Sequence, residues 1–270
     1  MSLVAVVDRD GIAVLTLDRP PANAFAPDLV GRLRAAVREN AGARALVLAS
    51  AQPKLFSAGW DLPRISAMDR AEMKEYLESF CDLIFEIFVC PAPVVAALPG
   101  HAIAGGLIVA CAADERYAAE GAARFGLSEV ALGVPLPACC LELFAYVIGP
   151  RPMERLAASA QNLPADQALS LGLLDRVVPA SDLLDASLER ANRLALGSAA
   201  AYAEVKRRAR AEAVSRFNAA RKDDPFLDFW FSLEARKRIA ALVEKLTGKT
   251  NSSSRSISRP ARRCVSSLRG

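Results

Sequence analysis

The chain has 270 residues, 53% of them apolar and 24% charged, a balance that excludes a disordered or fibrous protein and supports a core without disulfides or metal. Its net charge of +4 comes from residues 249–270, which hold six Lys and Arg and no acid. The remaining 28 basic residues face 30 acidic ones, so residues 1–248 carry −2 and offer no general surface for nucleic acid or anionic lipid.

Leu3–Val7 and Ile12–Leu17 are β-rich runs separated by Asp8-Arg9-Asp10-Gly11, a hairpin signal. Pro20-Pro21 ends the second run, and Pro27-Asp28 opens a helix with Leu29, Leu33 and Val37 at four-residue spacing. Residues 45–49 read as a strand, 50–65 as a loop, and 69–90 as a long helix ended by Pro91 and Pro93. Residues 94–98 read as a buried strand, and Pro99-Gly100 turns the chain towards a helix opening at Gly105-Gly106. Short strands are expected within 115–125. Helices follow at 138–147, 151–159, 165–171, 182–196, 198–217 and 226–246. This order predicts a layered α/β core over 1–195, a helical region over 196–248, and a Ser/Arg-rich, disordered tail over 249–270.

Residues 87–113 contain no Asp, Glu, Lys or Arg and match a membrane span in length. Pro91, Pro93 and Pro99 would leave backbone groups unsatisfied in lipid, so a buried strand, turn and helix are expected instead. The six cysteines form no CxxC pair and His101 is the single histidine, so no zinc site is expected and the cysteines read as buried thiols. The N-terminus lacks the basic and apolar regions of a secretory leader, and a cytoplasmic location is expected.

No dinucleotide fingerprint, phosphate loop or serine-hydrolase elbow occurs. Two turns of small residues stand out: Phe56-Ser57-Ala58-Gly59-Trp60-Asp61-Leu62, and Pro99 through Gly106. Small residues where a loop meets a helix let a ligand approach backbone N–H groups, and two such turns can aim two donors at one oxygen. Close packing is the alternative reading. Lys206-Arg207-Arg208-Ala209-Arg210, flanked by Glu204 and Glu212, reads as a solvated helix face.

These turns, with Leu17–Ala24, Pro93–Asp114, Arg124–Gly133 and Leu169–Pro179, resemble the crotonase superfamily, the enoyl-CoA hydratase/isomerase family. The resemblance covers about residues 3–248. It implies a spiral of ββα units, C-terminal helices that build homotrimers or hexamers, and acyl thioesters of coenzyme A as substrates, with no other cofactor and no metal. It assigns the oxyanion donors to the N–H groups of Ala58 and Gly105. Ala22, Lys54, Ser57, Gly59, Trp60 and Asp61 are expected at the substrate site, Lys54 towards the CoA phosphates and Asp61 also as a helix cap.

Family hydratases use two glutamates. The later one matches Glu129, but Ile108 stands at the position of the other. One carboxylate suits a Δ3–Δ2 double-bond shift better than hydration, which controls protons on both water and carbon. Burial among apolar neighbours should raise the Glu129 pKa. Pro137 occupies the approximate place where some relatives carry a catalytic aspartate, which argues against dehalogenase and ring-isomerase chemistry. The expected activity is therefore an enoyl-CoA isomerase. The alternatives are a hydratase or decarboxylase, or a thioester- or RNA-binding homologue without turnover.

Overall fold

The computed structural model describes residues 3–248; the tail expectation lies outside them. Strands β1 (Val4–Arg9) and β2 (Ile12–Leu17) form the expected hairpin. The turn is tighter than the sequence suggested. Arg9 pairs with Ile12, and Asp10 and Gly11 have φ of 55° and 80°, the left-handed pair that a two-residue connection demands.

Three successive units then repeat one plan. Strands β3 (Ala45–Ser50), β5 (Val94–Leu98) and β7 (Glu115–Ala119) lie parallel in a six-stranded sheet of order β1-β2-β3-β5-β7-β10, where β10 is Arg176–Val178. Strands β4 (Leu55–Ser57), β6 (His101–Ile103) and β8 (Phe125–Gly126) lie parallel in a second sheet, completed by the antiparallel β9 (Asn162–Leu163). Each unit thus leaves one strand in each sheet, and the chain winds as a spiral. Helices fill the intervals: α1 (Pro27–Glu39), α2 (Leu62–Ile65), α3 (Arg70–Phe88) and α4 (Gly105–Cys111). Asp69 and Glu72 form a reciprocal capping box that sets the start of α3.

The large sheet is covered on both faces. Helices α1 and α3 pack with one set of strand residues, including Leu46, Leu48 and Val94, while α8 (Leu183–Leu194) covers Val47, Val95 and Tyr117 on the other. Every residue of β5 and of α4 is therefore buried. This explains the uncharged stretch without a membrane, because a doubly covered strand has no solvent face to carry polar residues. No helix among the described residues is long and apolar enough to cross a membrane. Five of the cysteines are free, buried thiols; Cys264 lies outside the described residues.

Helices α5 (Ala138–Ile148), α6 (Pro150–Ser159) and α7 (Ala165–Leu171) precede α8. The helix expected over 198–217 is two, α9 (Ala199–Ala209) and α10 (Ala211–Ala220), and that over 226–246 is α11 (Phe226–Trp230) and α12 (Leu233–Thr247). The first break falls where Arg210 turns inward. The basic run is not wholly a solvated face, because Lys206 and Arg210 are buried. Lys206 Nζ lies 2.8 Å and Arg210 2.6 Å from the Asp114 carboxylate, beside β7. Only Arg207 and Arg208 face outward, pairing with Glu204. Ser232 caps the start of α12, which causes the second break.

Candidate active site

The parallel strands of the small sheet end side by side, and each end delivers one part of the site. Ala58-Gly59-Trp60 follows β4, Ala104-Gly105 follows β6, and Ser128-Glu129 lies two residues beyond β8. Carboxyl ends of parallel strands are the usual binding edge of α/β sheets. Close contact requires the glycine pair. A Cβ on Gly106 would lie 2.5 Å from the Ser57 carbonyl, and one on Gly105 would lie 2.9 Å from the Trp60 ring. Ala104, at the start of α4, has φ 49° and ψ −124°, a conformation that side chains avoid and that stores about 1–3 kcal/mol.

These ends open on a cleft of 430 Å³, and the lining includes Ala22, Ala58, Trp60, Asp61, Gly105 and Glu129. Ile108 and Pro137 also line it, so both positions where the resemblance placed further carboxylates in relatives present hydrocarbon here. Asp61, the other lining carboxylate, lies 2.6 Å from the Arg19 guanidinium and accepts the Arg64 N–H as the cap of α2. Glu129 has no such partner. Its Oε2 is buried and makes no hydrogen bond among the described residues. Burial raises its pKa from 4.5 to about 7, partly offset by the backbone amides of Glu129 and Ser128.

Several expected roles change. The Ala58 N–H donates to the Ala22 carbonyl at 3.1 Å, so it is not a free donor. Two residues on, the Trp60 N–H has no acceptor among the described residues, and neither has that of Gly105. Gly59 brings these turns together, since a Cβ there would lie 3.2 Å from the Gly105 nitrogen. Ser57 is wholly buried and does not line the cleft; its hydroxyl donates to the Asn23 carbonyl at 2.7 Å and accepts the Gly59 N–H at 3.1 Å. It holds the turn rather than a substrate. Lys54 is exposed and outside the lining, and its carbonyl accepts the His101 N–H at 3.1 Å. His101 Nδ1 accepts the Arg124 N–H at 3.0 Å, consistent with a structural place.

The sequence reading missed the wall supplied by α11 and α12: Phe226, Trp230, Leu242 and Leu246. Trp60 meets Tyr76, Phe80, Phe226 and Trp230 edge to face, with centroids 5.2–6.0 Å apart. These contacts are worth about 0.5–1.5 kcal/mol each beyond area burial; those to Phe226 and Trp230 latch α11 onto the β4 turn, and those to Tyr76 and Phe80 tie the turn to α3. The apolar spacing of 226–246 was a signal for a buried helix face, though not for which face it covers.

A largely apolar cleft with free backbone donors and one carboxyl that has no side-chain partner, set at strand ends of a spiral fold, describes an acid–base enzyme of the crotonase type. The enoyl-CoA hydratase/isomerase family profile matches residues 8–249. The probable enoyl-CoA hydratase EchA17 of Mycobacterium avium is 33% identical over 211 residues, covering 75% of this chain and 81% of that protein. Human mitochondrial delta3-delta2-enoyl-CoA isomerase superposes with a TM-score of 0.86 at 25% identity, covering 91% of this chain and 98% of that one. An enoyl-CoA hydratase/isomerase family protein from Pseudomonas syringae gives 0.77 at 27% identity, covering 82% and 95%. The chain belongs to the enoyl-CoA hydratase/isomerase family.

Proposed function

We propose that the protein is an enoyl-CoA isomerase that converts a 3-enoyl thioester to a 2-enoyl thioester. The observation that carries this is the solitary state of Glu129: Asp61 is held by Arg19, and Ile108 supplies no second acid or base. The Glu129 carboxylate removes a proton from C2. The resulting dienolate oxygen is held by the Gly105 and Trp60 backbone N–H groups, each contributing about 2.7–4 kcal/mol to the transition state. The protonated Glu129 then returns the proton to C4, so no acid or base is consumed. A pKa near 7 suits a group that must take and give a proton in one cycle. The 0.86 TM-score to the human isomerase supports the same reading.

The proposal includes a cytoplasmic homotrimer or hexamer, with no cofactor beyond the coenzyme A of the substrate. Hydration is the second reading, favoured by the name of the M. avium relative. The test offers the purified protein a 3-enoyl-CoA and a 2-enoyl-CoA. Conjugated thioester absorbance should appear from the first and persist with the second. Loss of conjugation from the second by hydration would refute the role given to Ile108.

A further inference from the structure

The Trp60 backbone N–H is mounted on a very small piece of sheet. Phe25 and Trp60 form an isolated parallel bridge, in which the Phe25 N–H donates to the Gly59 carbonyl at 2.7 Å and the Asp61 N–H to the Phe25 carbonyl at 2.8 Å. A trans peptide points its carbonyl and its N–H in opposite directions. The Gly59 carbonyl faces Phe25, so the Trp60 N–H of the same peptide faces away from it, without an acceptor among the described residues. Two hydrogen bonds make a loose mount for a donor whose aim decides its effect.

We propose that Arg19 is a positioning residue for the oxyanion donor, clamping the Phe25–Trp60 bridge through Asp61. The role rests on the reading of the cleft as a thioester site with the Trp60 N–H as donor. Arg19 Nη1 donates to the Ala24 carbonyl at 2.9 Å and Nη2 to Asp61 Oδ2 at 2.6 Å. Ala24 precedes Phe25 and Asp61 follows Trp60, so the two arms of one rigid guanidinium hold both segments of the bridge. Arg19 is itself fixed, because its backbone N–H donates to Asn23 Oδ1 and its carbonyl accepts the Asn23 N–H, each at 2.8 Å. The other oxygen of Asp61 accepts the Arg64 N–H at 3.2 Å, at the start of α2. Only 21% and 16% of the two side chains is exposed, so solvent and salt weaken the pair less than a surface pair. A lysine would supply one point charge and could not hold both acceptors in fixed geometry.

The test uses two variants. Asp61→Asn keeps an oxygen to cap α2 but turns an amide NH2 against the Arg19 arm, and Arg19→Lys keeps the charge but loses the fork. Each should lower kcat for a 3-enoyl-CoA about tenfold or more, with KM within about twofold of wild type. The second readout is acetoacetyl-CoA, a keto thioester whose enolate has its own ultraviolet band and needs no turnover. A misaimed donor should raise the pH at which the bound enolate appears by about one unit, the equilibrium equivalent of a tenfold loss. Glu86→Gln is the control. It breaks the 2.8 Å pair with Arg34 between α1 and α3, outside the cleft lining. It should lower the melting temperature and leave kcat within about twofold. Wild-type kcat in either folded variant overturns the proposal, as does an enolate titration that does not shift, or an equal loss of kcat in Glu86→Gln. If the wild type isomerises no thioester, the enolate band decides alone. A titration that Asp61→Asn shifts then sustains the clamp while the isomerase reading falls. An unshifted titration, or a wild type that binds acetoacetyl-CoA without forming the enolate, overturns the clamp.

Discussion

Replacing Glu129 with Gln removes the proton shuttle and should also stabilise the empty protein above neutral pH. The folded pKa is about 7 against an ordinary value of 4.5, a gap of about 2.5. At about 1.36 kcal/mol per pH unit, the gap corresponds to about 3 kcal/mol. Below pH 4.5 the carboxyl is protonated in both states, and its contribution to stability is fully present. Between 4.5 and 7 the unfolded chain releases the proton while the folded chain keeps it, so that contribution is lost as pH rises. Gln does not titrate. Urea unfolding of both proteins from pH 4 to 8, followed by fluorescence of the half-buried Trp60 and the buried Trp230, isolates the difference. The wild type should lose about 3 kcal/mol relative to Glu129→Gln across that range, and the variant should bind thioesters without isomerising them. Parallel stability curves would show that Glu129 is solvated. A wild type that gains on the variant with rising pH would show that it is ion-paired. Either result refutes the argument from burial.

Further substitutions probe the other parts. In the wild type, kcat/KM for isomerisation should rise with pH to a plateau above about 7, as Glu129 ionises; a pH–rate profile checks this. Gly105→Ala sets a methyl 2.9 Å from the Trp60 ring and displaces a backbone donor, so kcat should fall about 10²–10³-fold in steady-state assays. Asp114→Ala leaves Lys206 and Arg210 buried without their counter-charge and should cost about 3–5 kcal/mol in urea unfolding. Ala104→Gly relieves the strained φ of 49° and should raise stability by about 1 kcal/mol, after the entropy that glycine loses on folding.

Much of the core was legible because its cause is local. The Asp-Gly turn, the proline stops and the four-residue spacing of Leu29, Leu33 and Val37 each fix an element through its own residues. The residues 87–113 were legible in outline for the same reason. What escaped depends on distant partners. Strand β10 is three residues long and exists through its pairing with β7, some 59 residues earlier. The α9–α10 break has no proline or glycine to mark it. Arg210 is drawn inward by Asp114, 96 residues away.

The donor assignment shows the same limit at the scale of the site. Ala58, Gly59 and Trp60 each have a backbone N–H in one turn, and size alone favours the smallest residues. Long-range bonding decides otherwise. Ala58 is taken by the Ala22 carbonyl and Gly59 by the Ser57 hydroxyl, leaving Trp60. Asn23 fixes the arrangement: its carbonyl accepts from Ser57, and its amide donates to Ser50 at 2.8 Å and to the Phe56 carbonyl at 3.1 Å. The Leu17–Ala24 block thus acts on the site from beneath. Its Ala22 carbonyl occupies one of the three N–H groups, and its Asn23 carbonyl holds the Ser57 hydroxyl that occupies the second, so the third is left to a bulky residue whose ring also packs against α11. Exchanging Asn23 for Ala should therefore loosen the turn and the α11 wall together, lowering kcat and weakening substrate binding in one step.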